Sequence, residues 1–272
     1  MVTRTSILSA IAVLGISLML GSAAHAQKAK LVDAKNGSGV FGYKHTPIQP
    51  WSGFHVHDPD RPEPARITPG SPGTQAKAGT APSDAIVLFD GKDLSQWKPN
   101  HWKVEEGCLV ATEGLLSTQA DFGSCQLHLE WQTPVEPAEQ VMNRGNNGVM
   151  LLGKIEVQIF ESFETKIYPD GQAAAIYAQT PPLVNACRKP GEWQSFDIIF
   201  LAPESDDAGK LTKPARITLL HNGVLVHHDQ EIYGDSPHAR LASYDHVKSR
   251  GPLEFGAHHC QVKFRNIWLR EL

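Results

Sequence analysis

The sequence lacks any excess of basic charge. Its 25 Lys and Arg stand against 29 Asp and Glu, a formal net charge of −4, which argues against nucleic acid or an anionic membrane surface as partner. After Ala26 no apolar run is long enough to cross a bilayer, so no membrane span is expected. The four cysteines, Cys108, Cys125, Cys187 and Cys260, include no C-x-x-C, which argues against a structural zinc site. G-x-S-x-G is missing, and with it the serine-hydrolase elbow. H-E-x-x-H and the calcium-loop pattern are missing too, so no familiar metal motif is present. No long segment carries a helical period.

What is present begins with a leader. Arg4 precedes an apolar run from Ile7 to Leu20, and small residues end at Ala24-His25-Ala26. This predicts a signal peptide over 1–26 and an exported protein, periplasmic or secreted. In such a compartment disulfides are permitted, and four cysteines allow three complete pairings among which the sequence does not choose. Residues 27–83 are rich in Pro, Gly, Ser and Thr, with prolines from Pro47 to Pro82 that prevent sustained helix or ladder. They are expected to form a mostly irregular extension and linker, draped on the domain where Trp51, Phe54, His55 and His57 occur.

From residue 84 to 272 short alternating runs dominate. Ile86–Phe89, Trp102–Glu105, Cys108–Thr112, Cys125–Gln132, Gly148–Leu152, Ile155–Phe160, Phe196–Leu201, Ile217–His221, Val224–His228 and Val262–Leu269 are predicted strands. Glu106-Gly107, Gly153-Lys154 and Asn222-Gly223 are hairpin signals. Many closely spaced strands without β-α alternation predict an all-β sandwich or jelly roll of antiparallel sheets.

The stretch KIEVQIFES, Lys154 to Ser162, alternates cleanly. Ile155, Val157 and Ile159 are expected to face the core, and Glu156, Gln158 and Phe160 to face outward. Just upstream Arg144, Asn146 and Asn147 gather donors suited to sugar hydroxyls or a carbonyl oxygen. Glu156 and Glu161 could be mistaken for the carboxylate pair of an ordinary glycosidase. Five positions apart on one strand they fall on opposite faces, so Glu161 is expected at the strand end, capping a loop. Of the 13 histidines, His55, His57 and Asp60 could together ligate a metal, though hydrogen bonding within a loop is the plainer expectation. In His227-His228 and His258-His259 only one member of each pair can face a given site. Asn185 fits a turn former and Trp193 a core aromatic.

Several segments in fixed order, AIVLFDGKDLSQW, WKVEEGCLVAT, GNNGVMLLGKIEVQIFES, AAIYAQTPPLVNACRKPGEWQSFDIIF, HNGVLVHH and GPLEFGAHHCQVKFRNIWLREL, resemble the bacterial 3-keto-disaccharide hydrolase family. The resemblance runs from about Ala85 to Leu272. It implies a concanavalin A-like jelly roll of two antiparallel sheets, acting on glycosides oxidised to a ketone at C3; no cofactor is expected, and the sequence does not decide whether a metal is needed. It marks Asn147, Gly148, Glu156, Gln158, Glu161, Tyr177, Asn185, Glu192, Trp193 and His258. Leu152, Glu161 and Gly256-Ala257 depart from residues often found in members, where Arg, Asp and Gln-Asp stand.

A ketone at C3 acidifies the C2 hydrogen, so a modest base can remove it and expel the substituent at C1. The expected catalytic residues are Glu156 or His258 as base and Tyr177 as proton donor or orienter. The expected substrate-binding residues are Arg144, Asn147, Gln158, Glu161 and Asn185, and the expected partner is a small sugar or glycoside. The alternative is a carbohydrate-binding module without chemistry, with Trp51, Phe160 or Tyr177 as stacking surfaces.

Overall fold

The computed structural model describes residues 30–136 and 138–272. The leader predicted over 1–26 lies outside the described residues. Two compact units divide the chain, the first ending at Ala65 and the second running Arg66–Leu272. In the first, strand β1 (Val32–Asp33) pairs antiparallel with β2 (Phe41–Gly42). Lys44 Nζ bridges Asp58 at 2.6 Å and Asp60 at 2.7 Å, so a lysine occupies the carboxylate weighed above as a metal ligand. Among the described residues no three His, Cys, Asp or Glu side chains gather at metal-binding distance.

The second unit is all-β. Its strands are β3 (Ile86–Phe89), β4 (Lys103–Glu105), β5 (Cys108–Val110), β6 (Gly114–Phe122), β7 (Cys125–Gln132), β8 (Asn147–Leu151), β9 (Ile155–Ile159), β10 (Gln194–Leu201), β11 (Glu204–Ser205), β12 (Leu211–Lys213), β13 (Arg216–His221), β14 (Val224–Glu231), β15 (Gly251–Ala257) and β16 (Lys263–Glu271). Among the described residues the only helical pieces are two three-residue 3-10 turns, Val141–Asn143 and Pro169–Gly171. No helix there is long and apolar enough to cross a membrane.

Two antiparallel sheets make the jelly-roll sandwich. The larger runs β14-β13-β10-β7-β16-β5-β4, with β3 also pairing β16, and the smaller runs β6-β15-β8-β9. Leu127, Leu129 and Trp131 of β7 and Phe196, Ile198 and Phe200 of β10 share one core with Val149, Leu151, Ile155, Val157, Ile159 and Phe255 of the smaller sheet. Each such aliphatic or aromatic side chain contributes about 1.5–3 kcal/mol on burial. Asn222 and Gly223 both take positive φ, 53° and 78°, and close a two-residue hairpin between His221 and Val224, as their sequence predicts. In this unit the strands not foreseen are β6, β15 and the short pair β11 and β12.

Residues 66–83, part of the expected extension, belong to the second unit as a strap on the outer face of the larger sheet. Gly79 N–H donates to Glu130 Oε1 at 2.8 Å. Arg265 donates to the carbonyls of Thr74 and Lys77, and the Gln75 amide both donates to and accepts from the Trp193 backbone. Glu130, 3% exposed, also takes Arg265 Nε at 2.6 Å and Asn266 Nδ2 at 2.8 Å. Trp193 is buried, but beneath the Arg265 guanidinium, whose carbon lies 3.9 Å from the ring centroid, and outside the inter-sheet core. The expectation of a core aromatic is corrected accordingly. All four cysteines are free thiols. Cys260 instead accepts the Gly145 N–H at 3.1 Å.

Candidate active site

With Ile155, Val157 and Ile159 fully buried in the core, alternation puts Glu156 and Gln158 on the outer face of the smaller sheet. Phe160 does not join them. The strand ends at Ile159, and Phe160 is 0% exposed, so it is no stacking surface for a sugar.

The edge of β9 beyond β8 is paired by an irregular segment. Gln158 N–H donates to Ala175 O at 2.9 Å, Ala174 N–H to Gln158 O at 2.8 Å and Tyr177 N–H to Glu156 O at 3.0 Å. This places Tyr177 beside Glu156. A second segment is tied to the same strand, since Glu156 N–H donates to Ser236 Oγ at 3.0 Å and Ser236 N–H to Lys154 O at 3.0 Å. It brings in His238, whose Nδ1 is 2.8 Å from Tyr177 Oη. Tyr168 Oη lies 3.3 Å from the same hydroxyl. Together these segments enclose a cleft of about 280 Å³ lined by Glu156, Gln158, Tyr177 and His258, along with Tyr168, Ser236, His238, Asn146 and Met142. Tyr168, Ser236, His238 and Met142 were not foreseen, because irregular loops deliver them and no spacing marks them.

Burial pushes the Glu156 carboxyl up to about 7. No cation pairs with it among the described residues, so desolvation acts unopposed. The carboxylate lies against Gly148, where an added Cβ would sit 2.2 Å from Glu156 Oε1. Gly148→Ala is therefore expected to displace the carboxylate and lower any Glu156-dependent turnover at least about tenfold, while the melting temperature changes far less than the rate. Steady-state kinetics beside a thermal melt would check both. Gln158 is 2% exposed, and its amide oxygen is buried without a partner. Such a group is costly unless a ligand satisfies it. His258 stands at the rim, its imidazolium disfavoured by burial and then by neighbouring His259. Burial, then the Tyr168 hydroxyl, raises the Tyr177 phenol, so it keeps its proton at neutral pH.

Four expected substrate-binding residues lie outside this cleft. Arg144 donates to Ala138 O at 2.9 Å and Thr165 Oγ1 at 3.3 Å. Glu161 accepts the N–H groups of Phe163 and Glu164 at 2.8 and 3.0 Å, and the Thr165 hydroxyl, capping a loop at the strand end. Asn185 makes a turn, accepting from Cys187 N–H at 3.0 Å and donating to Ser162 O at 2.6 Å. Asn147 shares the core-facing side with Val149 and Leu151 and is fully buried; its neighbour Asn146 faces the cleft instead. Of the departures, Leu152 lines a small void with Phe200 and Leu253 away from the cleft. Gly256 pairs with Gly148 on β8, and a Cβ there would meet only Leu115 at 3.6 Å. The missing side chain leaves that part of the sheet face open.

A carboxylate held near neutrality beside an unsatisfied amide is a site able to bind a polar ligand and move a proton. The profile of the 3-keto-alpha-glucoside-1,2-lyase-like domain matches residues 84–270. This chain belongs to that family. The lyase-like domain is similar to a provisionally named glycosyl hydrolase from Parabacteroides distasonis ATCC 8503, at 34% identity and a TM-score of 0.74, over 84% of this chain and 100% of the other. A second such protein of the same organism is 22% identical, with a TM-score of 0.55 over 69% of this chain and 99% of its own. That likeness shows the fold alone. No curated protein matches. The chain is thus a carbohydrate-active β-sandwich of the lyase-like family.

Proposed function

We propose that the protein cleaves glycosides oxidised to a ketone at C3, by elimination across C1 and C2. The observation that carries this is Glu156, raised to about 7 by burial in a cleft it shares with Gln158, Tyr177 and His258. A carboxyl tuned close to neutral pH suits a general base, and an α-ketone proton is one that such a base can remove. Glu156 takes the C2 proton, and the electron pair passes to the C3 oxygen as an enolate, to which Gln158 donates through its amide N–H while its oxygen accepts from a sugar hydroxyl. The pair returns to form the C1–C2 double bond as the C1–O bond breaks. The leaving oxygen takes its proton at the Tyr177 and His238 pair. Water adding at C1, with a proton restored to C2, completes net hydrolysis. His258 is the second candidate base. The leader predicted over 1–26 supports action outside the cytoplasm.

The test is turnover by purified protein of a 3-keto-glycoside against its unoxidised parent. Release of the leaving group from the oxidised substrate alone is expected. Binding of both without release would instead identify a carbohydrate-binding module. The rate should also depend on pH with a definite sign. Glu156 must be ionised to act, so kcat/KM is expected to rise with pH and level off above about 7. A pH profile flat from 5 to 9 would remove Glu156 as base.

A further inference from the structure

Beside the Glu156 cleft lies a second cavity of about 480 Å³, lined by Tyr168, Tyr177, Ala178, His238, Ala239 and Leu241, with Asp170 and Arg240 adding charge. Tyr168, Tyr177 and His238 line both cavities, so the two share a wall of two phenols and an imidazole. The loop that builds the far side is clasped at its base. Asp235 N–H donates to Ser243 O at 2.9 Å, and Ser243 N–H returns a bond to Asp235 Oδ1 at 2.8 Å. The Gln179 amide donates to the carbonyls of Gly234 and Asp235 at 3.1 and 3.0 Å. Gly234, at φ +131°, is crossed so closely that a Cβ would fall 2.2 Å from Ser243 O. The base is thereby fixed, while the tip holds Leu241 at 96% exposure.

The chemistry of the two cavities differs. The first carries a carboxylate, an unsatisfied amide and an imidazole, groups that recognise hydroxyls and a ketone. The second has no Asn, Gln, Ser or Thr in its lining, and apart from Asp170, Arg240 and the His238 it shares with the first it is two phenol rings, a leucine and two alanines. Sugars need amides, carboxylates and hydroxyls in number, whereas flat aromatic groups gain from apolar and ring surfaces. We infer that this cavity is the leaving-group subsite and takes an aromatic aglycone, so that aryl 3-keto-glycosides are preferred over 3-keto-disaccharides. The inference rests on the assignment of the Glu156 cleft to the oxidised sugar. With the sugar ring over Glu156 and Gln158, the C1–O bond lies at the shared wall. Its electron pair leaves with the aryl oxygen into the second cavity.

The experiment compares kcat/KM for a nitrophenyl 3-keto-glucoside and for a 3-keto-disaccharide, in the native protein and in Leu241→Ser. It adds equilibrium binding of free nitrophenol to both proteins. The native protein is expected to prefer the aryl substrate. In Leu241→Ser the aryl-to-disaccharide ratio should fall about tenfold, the worth of one apolar side chain in such a pocket, and nitrophenol binding should weaken in parallel. A native preference for the disaccharide, or a ratio unchanged by Leu241→Ser, would overturn the subsite. If neither substrate is turned over, the proposed activity fails and nitrophenol decides the cavity separately. Saturable binding weakened by Leu241→Ser supports an aromatic site, and absence of binding overturns it.

Discussion

Glu156→Gln is expected to cut turnover of a 3-keto-glycoside about a hundredfold or more, the usual share of a positioned general base, while the protein stays folded. The isostere keeps the cleft's shape against Gly148 and removes only the proton acceptor. Stability should move in the opposite direction to activity. A carboxyl raised from 4.5 to about 7 by burial is best tolerated while protonated. Its effect on the folded state is thus most favourable below pH 4.5, worsens as pH rises to about 7, and is constant above. Glu156→Gln should match the native protein in stability at pH 4 and exceed it at pH 8 by on the order of 3 kcal/mol. Denaturant titrations at the two pH values check this beside the kinetics. Near-normal turnover in the folded variant would pass the base assignment to His258, to be tested by His258→Ala.

Glu130→Ala is expected to be the most destabilising single change. It strands the Arg265 guanidinium, 9% exposed in its side chain, and removes the acceptor for Gly79 N–H and Asn266. Breaking one partner from a buried ion pair costs about 3–5 kcal/mol, which lowers Tm by roughly 10 °C in a chain of this size. Hydrogen exchange should show the Gly79 amide losing protection. In the native protein burial works to raise the Glu130 carboxyl, but His128, the Gly79 amide, Asn266 and Arg265 outweigh it and hold the group at about 2. Its contribution is therefore complete above pH 4.5 and is lost as pH falls towards 2. An unchanged melting temperature in Glu130→Ala would show that the strap is held elsewhere.

Most of the sandwich was legible because its strands alternate. IEVQI and LHLEW announce one buried and one outward face, and Asn222-Gly223 announces a tight turn. The strands β6 and β15 were not legible. GLLSTQADF has no regular alternation, and its burial follows none. GPLEFGA carries Pro and two Gly that read as breakers, although Pro252 and Gly256 sit in the ladder. At the site, Glu156 and Gln158 follow from period two alone. The segments that carry Tyr177, Tyr168 and His238 reach the cleft through backbone pairing with β9 and Ser236, across as many as 80 residues. No local pattern encodes such contacts. Glu161 caps a loop and Asn185 makes a turn as expected, but neither lines the cleft. Arg144 is likewise held in a loop while Asn147 faces the core, because polar residues near a site are as often spent on building it. The strap escaped for a similar reason, since its proline-rich composition matches that of a free linker while Gly79 and Gln75 bind the sheet.

The central claim is that Glu156 removes the C2 proton of an oxidised sugar, and the most direct measurement follows that atom. A 3-keto-glycoside carrying deuterium at C2 is incubated with the protein in ordinary water, and leaving-group release and deuterium loss are measured together against an enzyme-free control. The account predicts that deuterium enters water in step with release, and that both fall together in Glu156→Gln. Release with the deuterium still at C2 would contradict it.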